Sequence, residues 1–174
     1  MTSLILDIET LDTAPTSVIT EIGALAFHRA DFTEASCFFA RPCLFSQLAS
    51  GRTTSASTIG FHQQQGTLPT DLSASLTPQD AAHSLRRFIA SVAPRRIWIQ
   101  GPDFDRPIIE DFFAQFGGGL PWDFWRTRDT RTIWDAAFPD VKHDKRPHHA
   151  LPDCRATLAD LTKALVTLNR TEAA

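Results

Sequence analysis

Asp7 and Glu9 stand two residues apart in Ser-Leu-Ile-Leu-Asp-Ile-Glu, residues 3 to 9. If that apolar run is a β-strand, both side chains point to the same face of a sheet. Paired negative charge amid Leu4, Ile5, Leu6 and Ile8 is costly, because burial and a like-charged neighbour both oppose ionisation. A divalent cation held between the two carboxylates would remove the conflict. The competing account is that the strand ends early and both acids are solvated at its mouth; the pair alone fits either.

Two further groups carry chemistry of the same kind. Gly101-Pro102-Asp103-Phe104-Asp105 lies where a short apolar strand gives way to a helical pattern, and Asp105 shares a helix face with Ile109 and Phe112. Its alternative role is a helix N-cap, for which Asp103 is an equal candidate. His148-His149-Ala150-Leu151-Pro152-Asp153 opens the last apolar stripe of the chain. Proline is tolerated only in the first helical turn, so the histidines belong to the incoming loop and Asp153 to the helix start. An imidazole five residues before a carboxylate can then face the same cleft, although a lone histidine is more often a surface or structural residue.

The elements that must position these groups are legible in the hydrophobic pattern. Residues 3–9, 18–27 and 33–41 read as three strands making an antiparallel start, with Asp12 and Pro15 in the first turn. Residues 44–78 are rich in Ser, Thr, Gln and Gly and predict one or two short helices with exposed loops. Thr77-Pro78 is a helix start for Ala82, Leu85, Phe88, Ile89 and Val92, and Pro94 ends it. Ile-Trp-Ile within 96–101 predicts a buried strand, followed by a helix over 105–116 that Gly117-Gly118-Gly119 stops. A shorter helix is expected over about 129–138. Leu151, Cys154, Leu158, Leu161, Leu165 and Leu168 form one stripe of a final helix that packs along the sheet. Strands first and alternating helices later predict a single mixed α/β domain over 1–174, with helices on both faces.

Composition narrows the function classes. The chain of 174 residues is 43% hydrophobic and 21% charged, which excludes the disordered and membrane classes. Neither a run long enough to span a bilayer nor a secretion signal is visible, so the expected location is the cytoplasm and no membrane partner is expected. Cys37, Cys43 and Cys154 lack a CxxC pair and read as buried apolar fillers. A net charge of -3 is not that of a passive nucleic-acid binder. Metal-binding carboxylates would reconcile an acidic total with a polyanionic substrate. Local basic clusters exist at Arg95-Arg96, at Arg126, Arg128 and Arg131, and at Lys142, Lys145 and Arg146; taken singly, each also reads as a solvated face.

With these residues in order, the sequence resembles the DnaQ-like, or DEDDh, 3′-5′ exonucleases. The match is Asp7-Ile-Glu9-Thr10, then Phe104-Asp105, then His148-x-Ala150-x-x-Asp153. It is similar in particular to the phage and bacterial branch of DexA-type and exonuclease VIII-type nucleases. The features shared with that branch are Ile22-Gly23-Ala24, Ser57-Thr58-Ile59 with Gln63-Gln64-Gln65, and Pro121-Trp122-x-Phe124-Trp125-x-x-Arg128-Asp129-x-Arg131-Thr132. The resemblance implies an RNase H-like fold, a five-stranded mixed sheet flanked by helices. It implies two Mg²⁺ or Mn²⁺ ions: Asp7 bridging both, Glu9 and Asp153 completing one site, Asp105 supporting the other, and His148 taking a proton from the attacking water. The branch with Tyr in place of His is excluded, since the chain has no tyrosine.

The expected activity is hydrolysis of the terminal phosphodiester of single-stranded DNA or RNA, releasing nucleoside monophosphates. Thr10, Leu11, Phe61 and Phe104 are the candidate substrate-binding residues, with Phe61 also readable as core. His149 stands as the neighbouring alternative to His148. Pro152 and the Phe61-His62 pair depart from residues common among relatives. Relatives often dimerise, which makes a homodimer a candidate assembly. The rival readings are a non-catalytic nucleic-acid-binding protein of the same fold and an RNase H-like endonuclease.

Overall fold

The fold is described from a computed structural model, over residues 1–70 and 76–171. Strand β1 (Thr2–Thr10) pairs antiparallel with β2 (Ile19–His28), and β2 pairs antiparallel with β3 (Glu34–Ala40). On its other side β1 runs parallel to β4 (Ile97–Ile99), which runs parallel to β5 (Thr127–Asp129). The sheet order is therefore β3-β2-β1-β4-β5. Helices α1 (Leu44–Ala49), α2 (Ala56–Gln65) and α3 (Pro78–Val92) lie between β3 and β4. Then come α4 (Pro102–Phe116), α5 (Thr130–Ala137) and α6 (Ala150–Thr171).

The two-residue period of the strands divides the core in two. Leu4, Leu6 and Ile8 of β1 join Ile22, Ala24 and Ala26 of β2 against Leu85 and Ile89 of α3 and Ile108, Phe112 and Phe113 of α4. Ile5, Leu25, Phe27 and Trp98 face the other way, onto Cys154 and Leu161 of α6. Asp7 and Glu9 share the parity of Ile5 and so lie on the α6 side. Thr77 caps α3 by accepting the Asp80 N–H, as its sequence predicts.

Two expectations need correction. Neither Asp103 nor Asp105 caps α4; Gly101 holds the N-cap at φ 81°, and both acids sit in the first turn. Of the cysteines only Cys154 is buried, whereas Cys37 is exposed on the edge strand β3 and Cys43 is half-buried. The polar segment after β3 supplies two short helices and exposed loops, as expected, but Gln47, Arg52 and His62 in it are buried. Gln47 is fully buried and closes the open edge of β2, donating to the Ile19 carbonyl at 2.8 Å and accepting the Ile19 N–H at 2.9 Å. Buried Arg52 donates to Ser17 O at 2.7 Å and to Asp111 of α4 at 2.8 Å. These bonds fasten the segment beneath the end of β1 that carries Glu9.

Candidate active site

The site forms where α6 meets the carboxyl end of β1. Gly23, the cross-strand partner of Asp7, makes that meeting possible. A Cβ on Gly23 would stand 2.5 Å from the carbonyl carbon of Ala150 and 2.7 Å from the Leu151 nitrogen. No side chain fits there, so the first turn of α6 rests on bare β2 backbone. Asp153, one turn into the helix, is thereby delivered buried beside Asp7 and Glu9. The β1–β2 register shifts between Glu9 and Thr10, which ends regular pairing just past the second carboxylate.

Asp105 arrives from the opposite side, in the first turn of α4. Gly101 at the β4–α4 turn donates its N–H to Asp129 at 3.1 Å, and Asp129 also caps α5 through the Arg131 and Thr132 N–H groups. The buried carboxylate of Asp105 is thus aimed from an anchored turn. A Cβ on Gly101 would meet the Arg131 guanidinium at 2.9 Å, which keeps that cation against the turn.

Four carboxylates gathered in this way repel one another and resist ionisation. Burial first, then Asp105, Glu9 and Asp153, push Asp7 well above the carboxylate range. Glu9 is raised to about 8 by burial and then by Asp153, Glu21 and Asp105. Asp105 is raised to about 8 by burial, against the opposing charge of Arg131. Asp153 is also raised by burial, with Arg146 opposing. Without a cation this is an unfavourable cluster; with one it is an all-oxygen donor set suited to a hard divalent ion. One orphan atom supports that fit: Asp153 Oδ1 is buried with no hydrogen-bond partner. Ligand atoms of Glu9, His148 and Asp153 lie within 4.8 Å of one another.

His148 occupies the loop before α6 with φ 57°, a left-handed conformation that a non-glycine residue holds only when its surroundings impose it. The ring of Phe61 meets its imidazole edge-on, 4.9 Å between centroids and at 86°. Below the loop, Glu21 accepts the Ala150 N–H at 3.1 Å and pairs with Arg41 at 2.8 Å. His149 turns to this lower side, with Nδ1 at 3.5 Å from Glu21 Oε2. Both histidines line a cleft of about 230 Å³ with Glu21 and Arg41, and His148 also lines the neighbouring cleft that holds Phe61 and Phe104. A cleft of about 340 Å³ is lined by Glu9, Thr10, Phe61, His62, Phe104 and His148 among others.

The structure brings together Asp7, Glu9, Asp105, His148 and Asp153, with Thr10, Phe61 and Phe104 at the cleft. Leu11 is not in the lining: it is buried, its N–H given to Val18 O and its carbonyl taking the Ser55 N–H. Three residues went unrecognised in the sequence. Glu21 could have been noticed as the one acid in an otherwise apolar strand. His62 is buried and bridges Thr10 O at 2.9 Å and Thr67 Oγ1 at 2.8 Å, and burial holds it below its ordinary pKa. Arg146, read as part of a basic cluster, is largely buried against Asp160 at 2.7 Å and Gln100 at 3.3 Å, and its charge favours ionised Asp7 and Asp153.

Among solved structures, the chain is similar to the nuclease domain of 3′hExo, a DEDDh family member, bound to rAMP. That match has a TM-score of 0.69 at 12% identity over 94% of this chain and 91% of the other. It is similar also to product-bound exonuclease I, with a TM-score of 0.68 at 13% identity over 95% of this chain and 43% of the other. E. coli exonuclease I with a dA16 oligonucleotide matches with a TM-score of 0.67 at 14% identity, over 93% and 40%. The chain thus spans about two fifths of the exonuclease I length, and at these identities the likeness establishes the fold, which is RNase H-like. No curated protein matches the chain in sequence. Residues 2–164 match the Rv2179c-like 3′-5′ exoribonuclease domain, so the DnaQ-like resemblance holds at the level of 3′-5′ exonucleases, and the chain belongs to that Rv2179c-like domain family.

Proposed function

We propose that this chain is a divalent-metal-dependent 3′-5′ exonuclease that removes nucleoside monophosphates from a single strand of RNA or DNA. The observation that carries the reading is the convergence of Glu9, His148 and Asp153 ligand atoms within 4.8 Å, beside Asp7 and Asp105. Asp7, Glu9, Asp105 and Asp153 would hold two divalent ions, and Mg²⁺ or Mn²⁺ suits their oxygen donors. Bound there, such ions would supply the charge that makes hydroxide accessible at neutral pH and stabilises the leaving oxygen.

The chain's own residues do the rest. His148 accepts the proton of the attacking water, a task for which an imidazole needs little adjustment of pKa. Phe61 holds its ring from the side, and Glu21 holds the backbone that follows it. Thr10, Phe61 and Phe104 line the cleft in which the terminal nucleotide is placed, the two aromatic rings offering stacking surfaces.

The test is a time course on 5′-labelled linear single strands of RNA and DNA beside a circular strand, with and without chelator. The family description names an exoribonuclease and one similar structure holds rAMP, so RNA is the first arm. Stepwise shortening of linear strands from the 3′ end, abolished by chelator, is expected. Cleavage of the circle would replace the reading with an endonuclease, and binding without cleavage would replace it with a nucleic-acid-binding protein.

A further inference from the structure

At the amino-terminal end of β1 and β4 lies a second cleft, of about 290 Å³, with Arg29, Arg95, Arg96 and Arg128 in its lining around Trp98. Five residues of strand at about 3.3 Å each put its Thr2 end about 17 Å from Asp7. Among the described residues none of these four guanidinium groups is paired with a carboxylate. Arg29 lies over the Trp98 ring at 5.9 Å, while Arg95, Arg96 and Arg128 reach only Met1 sulfur or backbone carbonyls. Desolvation and then repulsion from Arg128, Arg95 and Arg126 hold Arg96 below its ordinary pKa. Four cations without a carboxylate partner, gathered in one cleft of a chain of net charge -3, form a local positive patch that attracts an anion.

Two further observations define that anion. Trp98 is buried, and its indole N–H is a donor without an acceptor. Trp98 and Arg128, paired across β4 and β5, also line a neighbouring cleft of about 420 Å³. This one passes exposed Phe124 and reaches Asp103 and Arg106, which flank Asp105 in the first stretch of α4. The two clefts adjoin at Trp98 and Arg128. Cationic groups beside an exposed aromatic ring are the means by which proteins hold a single strand without reading its sequence.

We infer that a single-stranded nucleic acid whose 3′ end occupies the carboxylate cleft lays its upstream backbone past Phe124 and onto Arg128, Arg96, Arg95 and Arg29. The inference rests on the exonuclease reading for the identity of the strand, but its test is one of binding. Phosphate oxygens accept from the guanidinium groups, and upstream bases stack on Phe124. The strand is thereby held at two separated places, so a long strand binds more tightly than a short one that fills the cleft alone.

The experiment compares the wild type with the variant Arg95→Ala/Arg96→Ala/Arg128→Ala in excess EDTA, so that the probe is not consumed. Fluorescence anisotropy is read on a 5′-labelled single strand of about 16 nucleotides, the upper end of a single-strand site size, and on a labelled dinucleotide. The long-strand Kd is expected to rise about tenfold, and the slope of log K against log salt to fall by about 2 for three lost phosphate contacts. The dinucleotide Kd is expected to change less than about twofold. Lysine at the same three positions should restore most of the binding and the slope, which separates lost charge from misfolding. Equal long-strand Kd and slope in wild type and variant overturn the inference, as does equal weakening of both probes. A wild type that binds the long strand in this way but cleaves nothing on adding metal overturns the exonuclease reading alone.

Discussion

The carbonyl of Ala150 occupies the space where any side chain on Gly23 would have to be. That contact joins the first turn of α6 to the residue paired with Asp7, so the distance between Asp7 and Asp153 is set by the absence of a Cβ. Gly23→Ala is expected to displace the start of α6 and with it His148 and Asp153. Overpacking of this kind costs about 1–3 kcal/mol in stability. Activity is expected to fall by more than that loss explains, measured as kcat at a temperature where the variant is fully folded. Wild-type kcat in a folded Gly23→Ala protein would separate the helix position from the site.

The general base can be told from its neighbour by substitution. His148 lines the cleft that holds Phe61 and Phe104, where His149 has no part; His149 Nδ1 lies 3.5 Å from Glu21. His148→Ala is expected to lose about 10²- to 10⁴-fold in kcat, the usual worth of general-base assistance. Metal affinity, followed by calorimetry, should change little, because carboxylate oxygens supply the ligands. His149→Ala should retain most of its turnover. A large loss of metal affinity in His148→Ala would make that imidazole a ligand instead.

The metal-free protein should lose stability with rising pH. Glu9 and Asp105 are held near 8 in the folded chain, against ordinary values of 4.5 and 3.8. Groups raised in the folded state contribute stability that is complete below the unfolded pKa and is lost as pH climbs to the folded one. The Tm in EDTA is therefore expected to fall between about pH 4 and pH 8, and added Mg²⁺ or Mn²⁺ should oppose the fall by neutralising the cluster. Asp7→Asn should flatten the dependence in EDTA while abolishing turnover. A Tm in EDTA that is constant across this window would mean the four acids do not share one site.

What the sequence made legible here, and what it did not, follows from the range of the interactions. Asp7-x-Glu9 and His148-x-Ala150-x-x-Asp153 are local patterns, and strand parity and the Pro152 constraint suffice to orient them. Glu21 enters the site only through the β1–β2 register that sets it opposite Glu9, a pairing between distant segments. Arg146 looked solvated because Lys142 and Lys145 surround it; its partners Gln100 and Asp160 come from other elements. Strand β5 has three residues and no apolar alternation, so only its parallel pairing with β4 reveals it. The segment carrying Gln47, Arg52 and His62 reads as short helices and exposed loops, and the burial of these three is hidden because their side chains are polar and each is satisfied by backbone groups from afar. Leu11 and Phe61 seemed equivalent as candidate base contacts, and the backbone bonds of Leu11 turn it inward.

Phe61 has two tasks that one substitution can distinguish. Its ring touches the His148 imidazole and also lines the cleft proposed for the terminal base. Stacking on an aromatic ring is worth about 1–3 kcal/mol per base, so losing it alone would raise KM by about 5- to 150-fold and leave kcat intact. Losing the support of His148 alone would lower kcat. Phe61→Leu keeps apolar volume against the imidazole but removes the flat face, and is expected to raise KM with little change in kcat. Phe61→Ala removes both and should change KM and kcat together. Steady-state kinetics on a single strand decide the matter: if Phe61→Leu retains the wild-type KM, the ring does not stack on the substrate, and its role is confined to holding His148.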